Sequence, residues 1–222
     1  IDEAIEAYKN CISLNPNYAE AYNNMGNALK AKGMFDEAVE VYNKALSLKS
    51  DYADAYCNLG IVLKEQGKLD EAMHAYNRAL SLKPDNVQIY TKIGNVFKDQ
   101  GKLQEAIDIN KKAISFNPNF SDAFINVGLI LHVQGKLDEA IASYKKALAI
   151  DPNYAEAYCN MGNILQDQDK LEDAIKSYKK AIKLKPNYAD AHLYLALTFL
   201  YCGRLVEGLN EYEWRWKTAK GL

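Results

Sequence analysis

Histidine, cysteine and proline are scarce in this chain, and each shortage closes a route. The three histidines (His74, His132 and His192) fall in no HxxxH or HExxH arrangement and join no Cys/His cluster, so no metal or other cofactor is expected. The four cysteines, Cys11, Cys57, Cys159 and Cys202, form neither a CxxC pair nor a dense disulfide framework. Buried, reduced thiols are expected instead, which favours a reducing, cytoplasmic compartment. No Pro- or Gly-rich linker divides the chain, and no run of about 18 apolar residues is present to span a membrane. Neither charge sign dominates: 27 basic and 29 acidic residues leave a formal charge of −2, with no general attraction to nucleic acid or anionic lipid. Each Gly-Lys pair lacks the upstream glycine and following Ser/Thr of a phosphate-binding loop, and no nucleophile–base constellation can be named. The only N-x-S sequon, Asn119-Phe120-Ser121, is what chance provides in a chain this rich in asparagine. The chain starts at Ile1 without Met or a signal-like segment, which reads as a fragment.

What the sequence has in abundance is repetition. Pro16, Pro84, Pro118, Pro152 and Pro186 fall on a 34-residue grid, with Ser50 in the vacant slot. Gly26, Gly60, Gly94, Gly128 and Gly162 keep the same spacing. So do Ala38, Ala72, Ala106, Ala140 and Ala174, and again Ala45, Ala79, Ala113, Ala147 and Ala181. Several coincident ladders at one period are the mark of an array of identical structural units.

Each period reads as two helices. Tyr56, Leu59 and Leu63 recur at spacings of three and four, and Leu69, Ala72, Tyr76, Ala79 and Leu80 do the same after Gly67. Glu65-Gln66-Gly67-Lys68 is the turn between them. Gly33, Gly67, Gly101, Gly135 and Gly203 suit the left-handed conformation that ends a helix, and Asp169 tolerates it in the fifth of the six slots. After the Pro slot stand Asn17, Asp51, Asp85, Asn119, Asn153 and Asn187, followed three residues later by Glu20, Asp54, Gln88, Asp122, Glu156 and Asp190. That spacing predicts an N-cap side chain answered from the third helical position. The small residues Gly60, Ala72 and Ala79 let the two helices of a unit approach closely, with Tyr56 and Tyr76 filling the remaining volume. A single pair cannot bury its apolar face, so stacked pairs are expected.

These columns (aromatic, Leu, Gly and Leu, then Ala, Tyr, Ala and Pro) resemble the tetratricopeptide repeat (TPR) family along the whole chain. The resemblance implies an all-α fold, a right-handed α-solenoid superhelix of antiparallel helix pairs. It divides the chain into residues 1–18, the second helix of a truncated repeat, and six units at 19–52, 53–86, 87–120, 121–154, 155–188 and 189–222, the last atypical. The segments AYNNMGNALKAKG and AYCNMGNILQDQD are similar to the superhelical TPR region of O-linked sugar transferases. In that family the asparagine at the sixth repeat position lines the concave surface and holds extended peptide backbone. The matching residues are Asn24, Asn58, Asn126 and Asn160, with the series broken at Lys92 and Tyr194. Asn27, Asn95 and Asn163 lie one turn further on in alternate repeats. An amide offers both donor and acceptor to a peptide group, so such a ladder holds a chain without reading its side chains.

The candidate peptide-binding residues are therefore Asn24, Asn27, Asn58, Lys92, Asn95, Asn126, Leu129, Asn160 and Asn163. Leu129 joins them because Ile125, Leu129 and Val133 form an apolar inner-face stretch expected to take a hydrophobic ligand side chain, while Leu193, Tyr194, Leu197 and Tyr201 of the last unit form a second stretch expected to be covered by another element; the alternative for both is cover by side chains of adjacent helices. A carboxylate clamp on a free C-terminus fits poorly. The positions of Asn27, Asn58 and Lys92 match it, but Asn23 and Gln88 stand where further cations are needed. Lys30, Lys64 and Lys98 recur on first helices beside Glu65 and Asp99, which argues against a nucleic-acid stripe.

The last unit departs from the pattern, with Ala196, Gly208 and Arg215 replacing Gly, Ala and Ala, before the run Tyr212-Glu213-Trp214-Arg215-Trp216. GRLVEGLNEYEWRW resembles the closing repeat of bacterial TPR proteins that continue into a transferase-like domain. That suggests a junction at Trp214 and Trp216, the alternative being an aromatic cap. His192 takes the place of a packing aromatic and is expected in the core. Three functions stay open: a scaffold holding a protein or peptide ligand in a concave groove, the substrate-recognition arm of a glycosyltransferase whose catalytic domain lies elsewhere, and a scaffold that self-assembles through its exposed ends into a homo-oligomer. No catalysis is expected within these residues.

Overall fold

The computed structural model describes residues 1–214. The expectations on Arg215 and Trp216 lie outside the described residues. Among the described residues thirteen helices follow one another: α1 (Asp2–Leu14), α2 (Ala19–Ala31), α3 (Phe35–Leu48), α4 (Ala53–Glu65), α5 (Leu69–Leu82), α6 (Val87–Asp99), α7 (Leu103–Phe116), α8 (Ser121–Val133), α9 (Leu137–Ile150), α10 (Ala155–Asp167), α11 (Leu171–Leu184), α12 (Ala189–Tyr201) and α13 (Leu205–Tyr212). The chain forms two compact units, Ile1–Asn117 with α1–α7 and Pro118–Leu222 with α8–α13. None of the described helices is long and apolar enough to cross a membrane.

Turn chemistry sets the helix boundaries. Gly67 has φ +75°, a left-handed backbone that an L side chain adopts only under strain, and Asp169 holds φ +58° in the equivalent slot. The expected capping signature is placed one residue off. The N-cap residues of the first helices are Tyr18, Tyr52, Asn86, Phe120, Tyr154 and Tyr188, so Asn17, Asp51, Asp85, Asn119, Asn153 and Asn187 precede the cap. Only Asn86 among these caps accepts with its side chain, from the Gln88 amide. The first-turn acids instead pair with a lysine at the end of the second helix of the same pair: Glu20 with Lys49, Asp54 with Lys83 and Glu156 with Lys185. Asp151 occupies that lysine's slot in one repeat, and there Asp122 accepts from the Tyr154 hydroxyl at 2.9 Å.

Packing within a pair follows from the small-residue ladders. All ten ladder alanines, from Ala38 to Ala181, are fully buried. A Cβ added at Gly60 would stand 2.6 Å from Cε1 of Tyr76, and Gly26, Gly128 and Gly162 press equally on Tyr42, Tyr144 and Tyr178. Glycine is therefore required where the tyrosine ring lies against the facing backbone. In the α6–α7 pair Asn110 replaces that tyrosine and points its own amide at Ala106 O (2.7 Å).

In the first unit, α2–α3, α4–α5 and α6–α7 are the tightest pairs, and α2, α4 and α6 also touch in sequence. The second helices α3, α5 and α7 make no close backbone approach to each other. The second unit repeats this with α8–α9, α10–α11 and α12–α13, and with α10 touching both α8 and α12. Within each unit the first helices thus form one closed layer. The second helices stand apart, leaving grooves floored by the first helices.

Candidate functional site

The first-helix layer of each unit carries the expected binding residues. In the first unit α2 supplies Asn24 and Asn27, α4 supplies Asn58, and α6 supplies Lys92 and Asn95. Asn58 Nδ2 donates to Asn23 Oδ1 at 3.0 Å, and Asn23 Nδ2 donates to Asn24 Oδ1 at 3.3 Å. A chain of amides therefore links α2 to α4. Its middle member, Asn23, is only 5% exposed and was not among the expected residues. The sequence did carry a signal: its column otherwise reads Cys57, Thr91, Ile125, Cys159 and Leu193, so an asparagine there is a buried polar group needing partners.

Asn58 and Lys92 line one cavity of about 330 Å³ between α4 and α6, together with Asp54, Cys57, Ile61, Asn86 and Gln88. Asp54 is already held by Lys83 at 2.7 Å, which leaves Lys92 as the charge of the lining that has no ion pair among the described residues. Burial pushes the Cys57 thiol up from its ordinary range, against the opposing pull of Lys92, so Cys57 presents a neutral S–H. The Lys64 ammonium bridges to Asp99 of α6 at 2.9 Å and fixes the far ends of the two helices. Asn27 Oδ1 accepts from the buried Tyr42 hydroxyl at 2.8 Å, which orients the amide and leaves its N–H groups to donate. Asn95 is half-buried on α6.

In the second unit Asn126 and Leu129 stand on α8, Asn160 and Asn163 on α10, all half-buried. Asn163 Oδ1 accepts from Tyr178 at 2.8 Å, as Asn27 does from Tyr42. The expected pocket of Ile125, Leu129 and Val133 is corrected. Ile125 is 5% exposed and belongs to the core, because its column faces the neighbouring helix, while Val133 is an exposed side chain near the end of α8. In the last unit Leu197 and Tyr201 are exposed, and Leu193 and Tyr194 are half-buried. His132 bridges to Asp167 at 2.8 Å, in the same repeat positions as Lys64 and Asp99. His192 is buried as expected. Its Nδ1 lies 2.6 Å from Glu211 Oε2, its Nε2 lies 2.9 Å from Pro186 O, and its ring stacks on Trp214 at 4.0 Å.

Profiles described as TPR repeat match residues 1–33, 26–67, 62–101, 128–169 and 162–201, and others described as tetratricopeptide repeat match 87–120 and 110–142. The chain belongs to the tetratricopeptide repeat family. Among solved structures, this TPR chain is similar to YrrB, described as a TPR protein with an unusual peptide-binding site. The two share 27% identity over 90% of this chain and 100% of YrrB, with a TM-score of 0.59. MamA is similar at 27% identity over 74% of this chain and 96% of its own, with a TM-score of 0.62. A thermophilic TPR protein of Thermus thermophilus shares the fold at 22% identity over 82% of this chain and 99% of its own, with a TM-score of 0.69. No curated protein matches the chain.

Proposed function

We propose that this TPR chain is a binding scaffold whose first-helix faces hold an extended polypeptide by its backbone amides. The observation that carries this reading is the cavity walled by Asn58 and Lys92, fed from one side by the Asn24–Asn23–Asn58 amide chain. Asn23 takes the inward bonds, so Asn58 keeps its carbonyl oxygen and Asn24 keeps its amide N–H groups for a ligand. An extended peptide needs that mixture of donors and acceptors at each residue. Lys92 adds a cation at one point of the ladder, where a carboxylate or C-terminal oxygen would be preferred. Asn126, Asn160 and Asn163 offer the same amide chemistry in the second unit. The likeness to YrrB, with its peptide-binding site, supports the same class of ligand.

The test begins by selecting binders from a random-peptide phage library on the intact chain and measuring their affinity by fluorescence anisotropy. Asn58→Ala, Asn126→Ala and Asn160→Ala combined should weaken binding roughly tenfold or more, since about 1 kcal/mol is at stake per lost hydrogen bond. The circular dichroism melt should be retained. Alanine replacement of the peptide's side chains should matter less than N-methylation of its backbone. Unchanged affinity in the folded triple variant would remove the ladder from the mechanism.

A further inference from the structure

A second groove lies on the opposite side of the first helices. In the second unit α9 and α11 stand apart over α10, and the space between them is a cavity of about 530 Å³. Its floor is apolar, built from Ile141 of α9 and Met161 and Leu165 of α10. Its rim carries Lys145, Lys170 and Lys176 against Asp138 and Asp173. Asp173 pairs with Lys176 at 2.8 Å, while Asp138 accepts from the neutral Gln168 Nε2 at 3.1 Å and keeps its charge, so the three lysines exceed the two acids by one. Lys170 donates to the neutral Gln168 Oε1 at 2.7 Å and draws Asp173 only at longer range, and Lys145 is exposed with no ion pair among the described residues.

The first unit supplies an internal control. The equivalent groove, 102 residues earlier, is a cavity of about 330 Å³ over Val39, Leu46, Leu59 and Leu63. There Asn43 replaces Lys145, His74 replaces Lys176 and Glu71 replaces Asp173. The fold makes both grooves, but only the second carries surplus positive charge. That charge is not needed to build a groove, because the first groove forms without it.

We propose that the α9–α11 groove is a second docking site, distinct from the first-helix face, for an acidic polypeptide segment carrying aliphatic side chains. Aliphatic groups of the segment enter over Met161, whose thioether adapts to differing shapes, while its carboxylates meet Lys145 and Lys170. The lining includes no aromatic ring on which a nucleic-acid base could stack. A recessed floor is out of reach of a flat lipid surface, whereas a single chain fits between two helices. Using this groove leaves the Asn58 and Asn160 faces free, so the scaffold can hold two polypeptides at once.

The probe is a fluorescein-labelled peptide of alternating leucine and glutamate, titrated against the intact chain at low salt. Lys145→Glu combined with Lys170→Glu should weaken it roughly tenfold or more, as expected when rim charges are reversed against a charged partner. Both side chains are at the surface, so the melt should not move. The leucine–glutamine counterpart should bind more weakly, and added salt should erode the difference. The Asn58→Ala, Asn126→Ala and Asn160→Ala variant should bind the probe as the parent chain does, which separates this site from the ladder. Several outcomes overturn the proposal: no binding by the parent chain, equal binding by the lysine variant, or loss in the asparagine variant instead. Equal affinity for polyglutamate, for a single-stranded oligonucleotide or for anionic vesicles also overturns it, by showing a general anion surface.

Discussion

Asn27 accepts a hydrogen bond from the buried hydroxyl of Tyr42 at 2.8 Å, a bond that ties the exposed face of α2 to the core between α2 and α3. Asn163 and Tyr178 repeat it. In the α8–α9 pair the asparagine position is Leu129, and the fully buried Tyr144 hydroxyl has no partner among the described residues. The same substitution therefore has opposite consequences in two repeats. Tyr42→Phe should destabilise the chain by about 1 kcal/mol, because it removes a made bond. Tyr144→Phe should be neutral or stabilise by about 1 kcal/mol, because it removes a desolvated hydroxyl that bonds to nothing. Urea unfolding of both variants measures the difference. Equal losses would show that Tyr144 has a partner after all.

Gly60 and Gly208 make a second contrast. Alanine normally gains about 1 kcal/mol over glycine inside a helix. At Gly60 the new Cβ would stand 2.6 Å from the ring of Tyr76, which is fully buried and has little room to move. Overpacking should win, with Gly60→Ala costing about 2 kcal/mol. At Gly208 the nearest atom is the end of Leu200, a half-buried side chain that can turn away, with Ala196 O at 3.1 Å. Gly208→Ala should cost clearly less. Denaturation midpoints that rank the two the other way would refute the account of why glycine stands at the tyrosine contact.

The contrast between these glycines marks what could be read beforehand. Gly60 belongs to a ladder, and a ladder exposes itself by period alone. The helix pairs, the left-handed turns and the buried alanines were legible for that reason. Asn23 was missed because an asparagine stands there in only one repeat, so periodicity hides it. Ile125 was misplaced because a first helix is covered on both flanks by its neighbours, leaving a narrower free stripe than one isolated helix suggests. The cap positions slipped by one because the first-turn acids answer a lysine 29 residues away, a tertiary pairing that mimics a local signature. The α9–α11 groove was invisible for a further reason. Lys145, Met161 and Lys170 come from different elements and meet only when α9 and α11 separate over α10.

His192 gives a prediction about the last helix pair. Tyr90, in the same repeat position, donates its hydroxyl to Pro84 O at 2.9 Å, and His192 Nε2 stands 2.9 Å from Pro186 O. The other ring nitrogen adds the contact to Glu211 of α13 at 2.6 Å, and the ring face carries Trp214. His192→Ala removes all three and should loosen α13 by about 2 kcal/mol or more. His192→Tyr keeps a ring and a donor toward Pro186 and should loosen it less. Amide hydrogen exchange along α13 reports the effect locally, with faster exchange expected in the order alanine, tyrosine, parent. Identical exchange in the two variants would mean that the ring itself contributes nothing.

The tyrosine column also sets how the chain responds to alkali. Burial raises the phenol of Tyr42, Tyr76, Tyr144 and Tyr178 well above the ordinary tyrosine value of 10.0. In the unfolded chain these groups ionise near that ordinary value, so above it the unfolded state binds fewer protons than the folded one. A group whose folded value is raised gives stability that is complete below the unfolded value and is lost as pH climbs toward the folded one. Stability should therefore hold to about pH 10 and then fall by about 1.4 kcal/mol per pH unit for each such tyrosine. Four of them acting together should unfold the chain cooperatively in strong alkali. Guanidinium melts across this range, followed by helical ellipticity alongside phenolate absorbance, provide the check: absorbance from the buried set should appear only as ellipticity disappears. Tyr76→Phe should reduce the slope by one tyrosine's share. Phenolate absorbance rising to completion in a still helical chain would show that the column is open to solvent.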